Sequence, residues 1–181
     1  MNDKRQTPPN VILIGFMGSG KSTVGRELAR LLGFEQVDTD DQIVARAGKP
    51  ITQIFAEDGE AAFREIESAV LEELAGREKL VVSTGGGVVT REANVVALLA
   101  AGYVVWLDAA VDVIMDRTSG NNARPLLQTA DPRATVERML AERRPLYQNA
   151  ADERVETERL TSAEIAYGVS ESAMVWFREV C

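Results

Sequence analysis

Residues 10–33 read NVILIGFMGSGKSTVGRELARLLG. Val11, Ile12, Leu13 and Ile14 form an apolar run of strand length, the mark of a short buried strand. From Val24 onward, Leu28, Leu31 and Leu32 recur at helical spacing, and Gly33 supplies a stop. Between strand and helix, Gly15 to Ser22 fit G-x-x-x-x-G-K-[ST], the phosphate-binding loop. Glycines let such a loop turn its backbone N–H groups around an anion. The helix start adds unpaired N–H groups and the positive end of its dipole. Gly18, Ser19, Gly20, Lys21, Ser22 and Thr23 are therefore candidate nucleotide ligands. Lys21 is placed on the β- and γ-phosphates and the Ser22 hydroxyl on Mg²⁺. An ordinary glycine turn is the alternative, and the strand–loop–helix context favours the phosphate reading.

The bulk composition narrows the chemistry. At 181 residues the chain is most economically a single domain, 1–181, with a loose polar tail over 1–10. Hydrophobic content of 45% and charged content of 27% suit a globular protein, and a cytoplasmic location is expected. No apolar run approaches the roughly 20 residues that span a bilayer. A net charge of −8 argues against nucleic acid or an anionic membrane as partner. The absence of histidine removes imidazole bases and His-ligated zinc. The single cysteine, Cys181, removes an internal disulfide. What remains is carboxylates, arginines, a lysine and a metal held by oxygen.

The short stretches at 11–14, 34–38, 79–83, 103–107 and 154–157 read as strands. Helical patterns lie near 21–32, 40–47, 60–75, 90–100, 111–117, 133–144 and 162–178. Strands separated by helices predict an α/β fold with a mostly parallel sheet. The segment TSGNNARPLLQTADPR, 118–133, lacks periodicity, and long irregular loops of this kind are often lids.

Four further clusters carry polar chemistry. Asp38 and Asp40 end the second strand, where ligands of parallel sheets sit. One carboxylate could serve Mg²⁺ and its waters and the other a substrate hydroxyl, or Thr39 or Asp40 could merely cap the next helix. Gly85, Gly86 and Gly87 follow the third strand and let a ligand approach the backbone, although a turn alone would also use glycine. Arg64 and Glu67, spaced i, i+3, read by spacing alone as a solvated intrahelical pair. Arg143 and Arg144 precede Pro145 at an expected helix end, where cations are favourable without any ligand. Arg124, inside the expected lid, could bring a cation to a transferring phosphate on closure.

GFMGSGKST, VDTD, FREIE, STGGGVV, RTSGNNARPLL and ERRPLY, in this order, resemble the shikimate kinase family, which groups with the nucleoside monophosphate kinase-like P-loop proteins. The resemblance runs from about Val11 to the last helix. It implies a three-layer P-loop kinase fold: a central, mostly parallel five-stranded sheet flanked by helices, a substrate-binding helical region over about 39–75, and a mobile lid over about 118–133. It implies ATP-dependent phosphorylation of the 3-hydroxyl of shikimate, giving shikimate 3-phosphate and ADP in aromatic amino-acid biosynthesis. The cofactors implied are ATP and Mg²⁺, and the expected state is a monomer.

Position by position, the resemblance assigns Lys21, Asp40 and Arg124 to catalysis. Asp38 contacts the metal through water, beside Ser22. Arg64 and Arg143 grip the shikimate carboxylate, Glu67 supports Arg64 and the ring hydroxyls, and Gly85, Gly86 and Gly87 line the substrate pocket. Arg117 stacks on adenine. Arg144 has no counterpart, and the last helix, with Trp176 and Phe177, receives no function. The rival readings are a P-loop kinase of another small hydroxy-acid such as gluconate, a nucleotide kinase, and a module that senses ATP without transferring phosphate.

Overall fold

The computed structural model describes residues 9–118 and 129–180. Its strands are β1 (Val11–Ile14), β2 (Glu35–Asp38), β3 (Leu80–Ser83), β4 (Tyr103–Asp108) and β5 (Glu153–Glu156), in the spatial order β2-β3-β1-β4-β5. Every neighbouring pair is parallel. The loops that follow β1, β2 and β3 therefore open at one edge of the sheet, where parallel sheets bind ligands.

Helices cover both faces: α1 (Lys21–Leu32), α2 (Thr39–Ala47), α3 (Ile51–Glu57), α4 (Gly59–Ala75), α5 (Glu92–Ala101), α6 (Val111–Thr118), α7 (Pro132–Ala150) and α8 (Ser162–Val180). Side chains alternate along a strand, so β1 feeds two cores. Val11 and Leu13 pack with Val24 and Leu28 of α1 and Val169 of α8. Ile12 and Ile14 pack with Val70 of α4, Leu98 of α5 and Met139 of α7. Cover on both sides explains why β1 is buried at all four positions, with no polar face. Among the described residues, no helix is long and apolar enough to cross a membrane.

Four features depart from, or complete, the sequence reading. Helix α3, Ile51–Glu57, was not expected, because seven residues are too few for a periodic signal. Helix α7 runs from Pro132 to Ala150 with Pro145 inside it, so Arg143 and Arg144 lie within the helix and not at its end. An interior proline costs about 3 kcal/mol. The complete burial of Tyr147 and Ala150 beyond Pro145 opposes that cost. Asn10, placed in the tail by its sequence, is 1% exposed. Its Nδ2 donates to the carbonyls of Arg77 and Ala101, each at 2.8 Å, and its Oδ1 accepts from Leu80 N–H at 2.9 Å. On the last helix, Trp176 packs on Tyr103 at 5.4 Å and Phe177 on Phe34 at 6.0 Å, which gives α8 a role in the core.

Candidate active site

A cavity of about 580 Å³ opens where β1, β2 and β3 end. Its first half is the glycine loop. Gly15, Gly18 and Gly20 take φ of 141°, 77° and 99°, backbone that side chains rarely adopt. Gly20 caps α1 without any side-chain hydrogen bond, and the first turn carries no acidic residue, so the positive helix end is left for an anion. Lys21, 9% exposed, donates through Nζ to the carbonyls of Gly15 at 2.8 Å and Phe16 at 2.9 Å. These bonds hold its charge inside the loop. Arg117, on α6, donates to the Gly18 carbonyl at 3.1 Å and lies across the same loop.

Beside the loop, Ser22 Oγ donates to Asp38 Oδ2 at 2.7 Å. Asp38 Oδ1 accepts from Asp40 N–H at 3.0 Å, which makes Asp38 the N-cap of α2 in place of Thr39 or Asp40. Capping fixes the Asp38 carboxylate against Ser22 and leaves Asp40 on the first turn, lining the cavity. A hydroxyl and a carboxylate are hard oxygen donors, the kind Mg²⁺ accepts. Among the described residues no group of three acidic, His or Cys side chains forms a cage for an ion.

The second half comes from α4 and α7. Arg64 and Glu67 are not a solvated pair: their side chains are 12% and 1% exposed. Arg64 Nη1 donates to Glu67 Oε2 at 2.8 Å, and its Nη2 donates to Glu60 Oε1 at 3.2 Å. Burial raises the Glu67 pKa above the usual carboxylate value, the Arg64 charge opposes the rise, and the Asp40 charge adds to it. Glu67 Oε1 has no hydrogen-bond partner among the described residues. Arg143 enters from α7, donating to the Gly86 carbonyl at 3.2 Å with its guanidinium 5.6 Å from the Phe16 ring centroid.

The triple glycine lies between these groups, and each member faces a different one. A methyl group on Gly85 would sit 3.1 Å from Asp40 Oδ1 and 3.2 Å from Glu67 Oε1. On Gly86 it would meet the backbone of the phosphate loop, 3.2 Å from Met17 N. On Gly87 it would overlap the Arg64 guanidinium, 2.8 Å from its Cζ. A turn alone would not need all three positions bare.

The cavity thus gathers Gly18, Gly20, Lys21, Ser22, Thr23, Asp38, Asp40, Arg64, Glu67, Gly85, Gly86, Gly87, Arg117 and Arg143 from the residues singled out in the sequence. Ser19 is buried behind the loop at 1% exposure, with its Oγ 3.4 Å from Lys21 Nζ. Arg124 and most of the expected lid lie outside the described residues. Sequence reading missed the apolar wall formed by Met17, Ile51, Phe55 and Phe63, together with Thr52 and Thr84. The i, i+4 pair of Ile51 and Phe55 was the available signal for α3. Arg144 turns away from the cavity, 3.4 Å from Asp108 Oδ1.

A family model described as shikimate kinase matches residues 17–173. A shikimate kinase from Halorhodospira halophila is 50% identical over 167 residues, 92% of this chain and 94% of that protein. The structure of shikimate kinase from Acinetobacter baumannii in complex with shikimate superposes with a TM-score of 0.89 at 39% identity, covering 94% of this chain and 95% of that one. The structure of shikimate kinase from Aquifex aeolicus superposes with a TM-score of 0.77 at 35% identity, covering 92% and 96%. By these matches along nearly its whole length, the chain belongs to the shikimate kinase family.

Proposed function

We propose that this protein transfers the γ-phosphoryl group of ATP to the 3-hydroxyl of shikimate, giving shikimate 3-phosphate and ADP. The observation that carries the reading is the meeting, in one cavity, of a triphosphate cradle with two arginines and Asp40. Shikimate bears one carboxylate, and planar guanidinium groups match carboxylate oxygens in pairs. Arg64 and Arg143 approach from different helices, so together they fix orientation as well as charge. Orientation matters because phosphoryl transfer asks little covalent chemistry of the protein.

In the transfer, a bond forms between the 3-oxygen and the γ-phosphorus while the bond from phosphorus to the β,γ-bridging oxygen breaks. The electron pair leaves with ADP, and Asp40 takes the hydroxyl proton. Asp40 needs only hydrogen-bond reach of that hydroxyl to orient it. Lys21 offsets charge on the β- and γ-oxygens, and Arg117, which donates to the Gly18 carbonyl, is the residue assigned to the adenine. Ser22 and Asp38 would hold Mg²⁺, the latter through water, and the ion when bound neutralises phosphate charge. Arg124 is the further cation assigned to the transferring group.

The test is an assay of ADP release with ATP, Mg²⁺ and a panel of small hydroxy-acids. Turnover stimulated by shikimate and not by gluconate is expected. Preference for gluconate or a nucleotide would assign a different acceptor, and no stimulation by any acid would favour an ATP sensor.

A further inference from the structure

Helix α7 sends two side chains to one backbone atom. Arg143 Nη1 donates to the Gly86 carbonyl at 3.2 Å, and Tyr147 Oη donates to the same oxygen at 2.5 Å. The two residues are spaced i, i+4 and share a helix face, so the R-x-P-L-Y stretch places both on one acceptor. Tyr147 is fully buried, with its ring stacked on Trp106 at 5.7 Å. Burial pushes its pKa up to about 12, against the opposing charge of Arg143, so it stays a donor at neutral pH. Gly86 is also the member of the triple glycine that rests on the phosphate loop, between Gly85 beside Asp40 and Gly87 beside Arg64.

We propose that Tyr147 is a positioning residue for the acid substrate: its hydroxyl fixes the Gly86 carbonyl, and so keeps the Arg143 guanidinium available to the substrate carboxylate. This rests on the shikimate kinase reading above. A carbonyl oxygen accepts two hydrogen bonds, and here both come from α7. Without the hydroxyl, Gly86 relies on Arg143 alone, and a carboxylate must compete with that carbonyl for the guanidinium. The glycine strip also loses the contact that fixes it relative to the two arginines. A tyrosine kept only for packing would be replaceable by phenylalanine, since the ring and its stack on Trp106 would persist.

The experiment is steady-state kinetics of Tyr147→Phe with both substrates, beside thermal melting. Removing one net hydrogen bond is expected to raise the KM for shikimate about tenfold. The KM for ATP should stay within about twofold, since the hydrogen bond removed is made to Gly86 and not to the phosphate loop itself. Melting should fall by no more than about 4 °C, the shift that about 1 kcal/mol produces in a chain this size. In Tyr147→Phe/Arg143→Lys, the two effects on shikimate KM should fall short of additive, because one acts through the other. An unchanged shikimate KM, a parallel rise in both KM values, full additivity, or loss of the fold would each overturn the inference. Wild-type protein without shikimate-dependent ADP release would overturn the functional reading itself, and this inference with it. The wild-type control thus separates the two failures.

Discussion

In the phosphate half of the cavity, Lys21 reaches carbonyls six and five residues away, whereas in the acid half Arg143 reaches Gly86 across 57 residues. The first half is mainly backbone, shaped by glycines with positive φ at the start of one helix. The second half is mainly side chains, delivered by α2, α4 and α7 onto a glycine strip that leaves room for them. A backbone anion site needs only local geometry, so a short run of residues can encode it. A guanidinium site for a carboxylate needs charges from distant segments held in place away from water. The two halves should therefore fail in different ways.

The largest expected effect tests the phosphate half. Lys21→Ala removes the buried charge and should lower kcat on the order of 10³-fold or more, with the melting curve showing a folded protein. Substantial residual turnover would take Lys21 out of the transfer step. Next, Asp40→Asn should lower kcat on the order of 10²- to 10³-fold while leaving ATP affinity nearly constant. Equal losses in kcat and ATP binding, measured by kinetics and calorimetry, would remove its substrate role. In the acid half, Arg64→Ala and Arg143→Ala should each raise the shikimate KM about 10²-fold, the scale of breaking one member of a desolvated charge pair. Intact shikimate binding in both would show that the acid sits elsewhere.

A pair of glycine substitutions sharpens the contrast. Gly20→Ala puts a side chain at φ 99° and should raise the ATP KM about tenfold through backbone strain of about 1–2 kcal/mol. Gly87→Ala has φ −98°, which alanine adopts without strain, but its methyl displaces the Arg64 guanidinium. It should raise the shikimate KM about tenfold with little change in melting temperature. If either variant affects both substrates equally, the halves are not separable.

The smallest effect is a pH dependence at Glu67. Its pKa is raised above 4.5 in the folded protein, chiefly by burial, so the folded state holds this proton more tightly than the unfolded chain. Its favourable contribution is complete below 4.5 and is lost as pH rises through the folded value. Glu67→Gln has no such titration. The difference in melting temperature, variant minus wild type, should therefore shift in the variant's favour as pH climbs from about 4.5. A constant difference across that window would mean that Glu67 titrates as an exposed carboxylate does.

Legibility followed the same division. The phosphate loop and the strands β1, β3 and β4 could be read because apolar runs and glycine spacing are local signals. Helix α3 could not, since Ile51–Glu57 offers barely two turns and depends on α2 and α4 for its packing. Pro145 read as a stop, because no local rule registers the buried Tyr147 beyond it. Arg64 and Glu67 read by spacing as a surface pair, because helical spacing does not report what covers a face. Only the family resemblance gave that pair, and Arg143, a substrate role.

By itself, the sequence determined an α/β chain with a phosphate-binding loop, oxygen and guanidinium chemistry, and no imidazole. Those properties reside in residue types and in contacts a few positions apart. Tertiary structure alone decided which carboxylates and arginines share a cavity, which glycine faces which charge, and that two α7 donors meet on Gly86. The physical reason is that burial and charge pairing across long stretches of chain exist only once the sheet and its helices have packed.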